Sequence, residues 1–226
     1  LRIETIGSIR NGRQVFATAA LDRDVVLDPT GVRDAIKTYL IANTSHDGSL
    51  AISGMITPTR VVCANTQAIA LGNYTQRFTI RHTESALSRI ADARDGMLKL
   101  HGWMDAFEVE AQALIQTEIT KAQFDEIVSR AFPMPEKDAK GAMKKWENKI
   151  DTINDIYTGE FNGMIAGSAW VAWNALTERI DWYRGGKRGL TESILMGSSG
   201  FDPAITAEKN RLLKIVNETL QVKIPA

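Results

Sequence analysis

The spacing of apolar positions changes near residue 83. Before it, apolar and polar residues alternate in short runs; after it, apolar residues recur every three or four positions. Alternation is the period of a strand, whose successive side chains point to opposite faces. Intervals of three and four mark one face of a helix. Residues 1–83 therefore read as strands and residues 84–226 as helices. The sharpest local signal is Asn11-Gly12 between two strand-like runs from Arg2 to Leu21. Asn-Gly is the pair that a type I′ hairpin favours. A two-residue loop makes Ile9 face Gln14 and Gly7 face Phe16, with the ring covering the missing side chain. It also sets Arg10 against Arg13. Like charges directly opposite repel; a bound anion relieves that, and so does water around splayed side chains at a hairpin tip.

Further strands are expected at Tyr39–Ala42, Leu50–Thr57 and Arg77–Arg81, with turns at Asp28-Pro29-Thr30-Gly31 and Asn73-Tyr74. Asn43–Ser49 reads as a loop turning at Asp47-Gly48. The stretch from Thr57 to Thr66 is the hinge of the reading. Thr57 precedes a proline and is pushed into extended conformation, Arg60-Val61-Val62 finishes a strand, and Asn65–Leu71 reads as a short helix. In Arg77–Arg81, Phe78 and Ile80 point one way and Arg77, Thr79 and Arg81 the other.

A long helix is expected from Glu84, capped by Thr83, with a seam of Ile90, Ala93, Met97, Leu100, Met104, Phe107, Ala111 and Leu114. Thr120 caps a helix over Lys121–Phe132, and Pro133-Met134-Pro135 ends it. Lys137–Tyr157 and Ile165–Arg184 follow, the second with its seam at Ala166, Ala169, Trp173, Leu176, Ile180 and Tyr183. Gly185–Gly189 is a basic loop, and a last helix starting at Asp202-Pro203 carries Ile205, Leu212, Leu213, Val216 and Leu220. The fold class is α+β: a small antiparallel sheet with an N-terminal β-hairpin, followed by a mostly helical C-terminal half. Residues 1–226 read as one domain, with a strand-rich part (1–83) and a helical part (84–226).

Composition narrows the function classes. The 27 basic and 27 acidic side chains cancel, which argues against a protein basic all over but allows a local basic stripe. No apolar run approaches a membrane span, so no membrane partner is expected. Leu1 is not a natural start, and the chain is expected to lack an N-terminal segment. One cysteine allows no intramolecular disulfide and suits a reducing cytoplasm. With three scattered histidines it makes a structural zinc site a poor reading, and no metal or cofactor is expected.

His46, Cys63 and His82 raise a cysteine–histidine nucleophile, which needs a base within hydrogen-bond reach of the thiol. Cys63 lies among Val61, Val62 and Ala64, the setting of a small buried hydrophobe, and no catalytic residue is assigned. His46-Asp47 supplies too few ligands for a metal, and the plainer reading is a loop in which Asp47 and Ser45 satisfy backbone groups. The stronger chemistry is electrostatic. Arg10, Arg13, Arg60, Arg77 and Arg81, with His82, lie in or beside the sheet, and Phe16, Tyr74 or Phe78 offers stacking faces. A basic track with aromatic platforms is how single-stranded nucleic acid is held without sequence preference.

Four stretches in order carry a family resemblance: Gly7–Arg10 with Gly12–Ala17, Asn43–Ser49, Thr57–Thr66 and Ile80–Thr83, joined by Gly167-Ser168-Ala169-Trp170-Val171-Ala172-Trp173-Asn174-Ala175-Leu176-Thr177-Glu178. In these the chain resembles the phage- and plasmid-like proteins grouped as a domain of unknown function, DUF932. The resemblance implies a mobile-element setting in the cytoplasm of a bacterial host and no assigned enzyme activity. In outline the order of elements is similar to Rad52-like single-strand annealing proteins. Together these lead to an expectation: a homo-oligomer that binds single-stranded DNA, serves strand annealing, and meets host DNA-processing proteins. Arg10, Arg13, Arg60, Arg77, Arg81 and His82 would contact the DNA, and the helical half would form the subunit interface. The alternative is a counter-defence or regulatory protein that binds a host protein and no DNA.

Overall fold

The computed structural model describes residues 2–27, 34–60, 65–66, 77–83, 89–136, 141–159, 162, 165–183 and 202–223. The expected turns at Asp28–Gly31 and Asn73-Tyr74, Cys63, the basic loop Gly185–Gly189 and residues 84–88 lie outside these.

Six antiparallel strands form one sheet: β1 (Arg2–Ile9), β2 (Gln14–Leu27), β3 (Asp34–Ser45), β4 (Ile52–Arg60), β5 (Asn65–Thr66) and β6 (Arg77–Ile80). The order is β1-β2-β3-β4, and β5 and β6 share the outer edge of β4 at its two ends. The hairpin register is the one the sequence implies: Ile9 pairs with Gln14 and Gly7 with Phe16. A Cβ at Gly7 would lie 2.7 Å from the Phe16 ring, so the ring fills the space a side chain would need. Asn11 and Gly12 have φ of 58° and 81°, as a type I′ turn requires. Arg10 also has positive φ, at 54°, one more left-handed residue than that turn needs.

Several boundaries differ from the sequence reading. β3 is three times the expected Tyr39–Ala42 and runs through Asn43-Thr44-Ser45, which read as loop. It lies between β2 and β4, so both its backbone edges are paired and only Lys37 and Ala42 are exposed. Asn43 and Ser45 therefore look like turn residues but serve as buried strand positions. β4 is shifted two to three residues later than Leu50–Thr57. Asn65-Thr66, expected to open a helix, pairs with Arg60 and Thr59 as a short strand.

The register puts Val25, Ile36, Leu40 and Ile56 on one face, and these join the core that the helices complete. The first helix, α1 (Ile90–Gln116), buries Leu100, Met104, Phe107, Ala111 and Leu114 as the seam implies. Met97 departs from it at 39% exposure, and Trp103, one position off the seam, is fully buried and stacks on Phe107 at 5.5 Å. Thr38 Oγ1 reaches Met104 Sδ at 3.9 Å across the sheet–helix boundary. α2 (Lys121–Ala131) starts on a capping box: Gln123 N donates to Thr120 Oγ1, and Thr120 N donates to Gln123 Oε1.

α3 (Ala142–Thr158) buries Ile153 and Tyr157, whose ring stacks on Phe124 at 3.8 Å. α4 (Ala169–Tyr183) is buried on every side from Ala169 to Thr177, because it packs against α1, α3 and the last helix, α5 (Pro203–Leu220). Two positions expected on its seam are exposed: Ala166, which precedes the helix, and Tyr183, its last residue. Trp170 Nε1 donates to Asp34 Oδ2 at 2.8 Å, tying α4 to the first residue of β3. Lys209 of α5 and Asp181 of α4 form an ion pair at 2.7 Å with both side chains fully buried. The fold is α+β: an antiparallel sheet followed by helices that cover one of its faces.

Candidate nucleic-acid interface

Three segments meet at one end of the sheet: the β1–β2 turn, the β3–β4 loop and the residues just after β6. Their meeting follows from register, since Gln14 pairs with Ser45, Asn43 with Ser53 and Ile52 with Ile80. His46 N donates to Arg13 O at 2.8 Å, which docks the loop on the turn. Ser45 Oγ accepts from Leu50 N at 2.8 Å, and Asp47 Oδ1 accepts from Ser49 N at 3.0 Å. Asp47 and Ser45 thus satisfy backbone groups of the loop, as the plainer reading of His46-Asp47 held. The Ser49 hydroxyl and amide, and then Ser45 and the charge of Arg13, hold the Asp47 carboxyl below its ordinary range.

His82 closes the other side. Its Nε2 lies 3.0 Å from Leu50 O and 3.0 Å from Thr44 Oγ1. A carbonyl oxygen only accepts, so the hydrogen bond to Leu50 O is the one made by the tautomer with its proton on Nε2. Arg89 Nη2 donates to Arg81 O at 3.2 Å and to Thr83 Oγ1 at 3.0 Å, which ties Arg81–Thr83 to the N-cap of α1. Beneath the loop, Gln14 Nε2 donates to Ser49 Oγ at 3.1 Å, and Ser53 Oγ donates to Asn43 Oδ1. Gln14, Asn43 and Ser53 are all buried. They form a polar floor, of which only Asn43 lay in a stretch read from the sequence as loop.

The structure brings Arg10, Arg13, Arg81 and His82 to this end. Arg89 joins them and was missed, because its partners are set by the chain path rather than by any local motif. Within the turn, the loop and Arg81–Thr83, Asp47 is the one carboxylate. Arg77 opens β6, four residues before Arg81, and sits opposite Met55. It is half-buried, and burial pushes its guanidinium below its ordinary pKa. Arg60 pairs with Ile36 and Asn65 at the far end of β4. Its backbone is about 23 Å along the strand from Ser53, at about 3.3 Å per residue. Its side chain lies outside the described residues.

The far part of the sheet is mixed in charge. Glu4, Asp22 and Asp24 gather with Arg2 and Lys37 around a cavity of about 290 Å³ at the β2 bulge. Burial, and then the charges of Glu4 and Asp24, push the Tyr39 hydroxyl up. Arginines thus outnumber carboxylates around the turn, while acidic and basic side chains mix around the bulge. Two of the rings expected to stack on bases are engaged in packing. Phe16 is 9% exposed over Gly7, and the Phe78 ring lies over Gly54 and against the core. Tyr74 lies outside the described residues.

The architecture is thus that of an α+β protein whose sheet bears an arginine-rich end. The chain belongs to the family described as Domain of unknown function (DUF932), whose sequence profile matches residues 1–210. No curated protein and no solved structure matches it. Among the described residues no helix is long and apolar enough to cross a membrane, and no three His, Cys, Asp or Glu side chains are grouped to hold a metal ion.

Proposed function

We propose that this chain is a phage- or plasmid-encoded protein that binds single-stranded DNA through the arginine-rich end of its sheet and works as a homo-oligomer. The observation that supports the reading most is the convergence of Arg10, Arg13 and Arg81 on one end, with Asp47 as the local carboxylate. A phosphate backbone meets such a surface through point charges and needs no base-specific groups. Arg10 and Arg13 flank a tight turn and are joined by the hydrogen bond from Arg13 N to Arg10 O at 3.3 Å, so two arginines leave the sheet at the same point. Strand annealing is the activity such binding would serve. It requires that strands be held with bases accessible and requires no catalytic side chain.

The test is fluorescence anisotropy of a labelled single-stranded oligonucleotide with the wild type, Arg13→Ala/Arg81→Ala and Arg60→Ala. The double variant is expected to weaken binding at least about tenfold at low salt, since each lost phosphate contact removes a counterion-release contribution. Arg60→Ala, at the far end, is expected to stay within about threefold on the same argument. Equal binding by the wild type and the double variant would remove the tip from the site. Absence of binding by the wild type at low salt would favour the other reading, a counter-defence or regulatory protein that recognises a host protein.

A further inference from the structure

We propose that the outer edge of β1 pairs antiparallel with the same edge of a second copy of this chain, with the two-fold axis passing at Thr5. The inference stands on the strand itself and does not rest on DNA binding. Among the described residues β1 pairs with β2 alone, so its outer amides and carbonyls form an open edge. Proteins ordinarily blunt such an edge with charged side chains, lysine above all, with proline, with a β-bulge or with cover. β1 reads Arg-Ile-Glu-Thr-Ile-Gly-Ser-Ile; it has no lysine or proline, its two charges, Arg2 and Glu4, pair with each other, and its bulge at Glu4 calls for a partner that matches it. It carries two of the most exposed large apolar side chains among the described residues, Ile3 at 64% and Ile6 at 75%.

The occupant follows from the pattern. A register shift between Ile3 and Thr5 makes Glu4 an extra residue relative to β2. That shift puts Ile3, opposite Ala19, and Ile6, opposite Ala17, on the same face of the sheet. In a regular strand residues 3 and 6 would fall on opposite faces. A two-fold at Thr5 then sets Thr5 against Thr5 of the second copy. It sets Ile3 of each copy against Ile6 of the other, on one face. Arg2 falls opposite Gly7 of the second copy, beside the Phe16 ring that covers that glycine, and its ion pair with Glu4 at 2.6 Å remains intrachain. Both copies meet the same two-against-one step, one on each side of the axis. An isologous interface requires this self-complementarity, whereas an unrelated strand has no reason to match the bulge. The product is one sheet continuous through both copies.

The test uses the intact protein. Sedimentation velocity compares the wild type with Ile6→Lys, a change at an exposed position that places two lysines among the isoleucines of the joint strand pair. In parallel, Thr5→Cys is oxidised gently and compared with Met134→Cys, exposed elsewhere, and with the wild type, whose thiol is Cys63. The expected result is concentration-dependent dimerisation that Ile6→Lys abolishes, and disulfide-linked Thr5→Cys dimers forming at least about tenfold faster than those of Met134→Cys, because pairing raises the local thiol concentration. A wild type that stays monomeric while Thr5→Cys crosslinks no faster than Met134→Cys would overturn the proposal. A dimer that survives Ile6→Lys would overturn it too, by placing the interface elsewhere.

Discussion

Glu110 gives the most informative single substitution in the helical half. It lies on α1 at 5% exposure and accepts one hydrogen bond, from Asn217 Nδ2 of α5 at 2.8 Å. Burial pushes its carboxyl pKa up from 4.5, partly opposed by that hydrogen bond. Asn217 Oδ1 is itself buried without a hydrogen-bond partner. Glu110→Gln keeps an acceptor for Asn217 Nδ2, removes the ionisable group and adds an NH₂ donor beside the orphaned Oδ1. A buried acceptor left unsatisfied costs about 1–3 kcal/mol, so the variant is expected to gain about 1 kcal/mol at pH 7.5.

The pH dependence has a definite sign. Above the unfolded pKa of about 4.5, the unfolded chain has released this proton while the folded protein still holds it. Glu110 therefore makes stability fall as pH rises from there through its raised folded value. Glutamine has no such dependence, so the gain should be smaller at pH 5 than at pH 7.5. The assay is urea unfolding followed by the fluorescence of the buried Trp103, Trp170 and Trp173. A variant less stable at both pH values, or one with the same gain at both, would refute the account of this contact.

Two further substitutions test the sheet and its joint with the helices. A Cβ at Gly54 would lie 2.3 Å from the Phe78 ring that faces it across β4 and β6; Gly54→Ala should cost about 1–3 kcal/mol in urea unfolding, the range for overpacking. Adding Phe78→Ala should recover part of that loss, and strict additivity would contradict the contact. Trp170→Phe keeps a ring in the core but removes the donor to Asp34 Oδ2; it should lower stability by about 1–3 kcal/mol, and an unchanged denaturation midpoint would contradict a stabilising role for that bond.

Local chemistry made some of this fold legible in the sequence. Asn11-Gly12 determines a loop length, and loop length determines a register, so Ile9–Gln14 and Gly7–Phe16 followed without tertiary information. Thr120 and Pro133 bracket α2 because capping and the loss of an amide donor act within one turn. Where tertiary context decides, the pattern misled. Asn43, Thr44 and Ser45 look like a turn, but the neighbouring strands pair their backbone on both sides and extend β3 through them. Asn65-Thr66 resembled a helix start, yet the open edge of β4 claims it as a strand. Met97 fits a heptad and is exposed near the start of α1, while Trp103, off the heptad, is buried by Phe107.

The arginines divide for the same reason. Arg10, Arg13 and Arg81 stand at strand ends that the register superimposes. Arg60 stands near them in the strand-rich part of the sequence but at the other end of β4. Sequence distance carries no record of which end of a sheet a residue occupies.

The most direct test of the arginine-rich end as a phosphate-binding surface is the salt dependence of single-stranded oligonucleotide binding by the unmodified protein. Three neutralised phosphates, one for each of Arg10, Arg13 and Arg81, give a slope of log K against log salt of about −2, at about −0.7 per contact on a single strand. A slope near that value, reduced in the Arg13→Ala/Arg81→Ala variant to about −0.7, is the expected result. Binding that is insensitive to salt, or a slope that the double variant leaves unchanged, would contradict it.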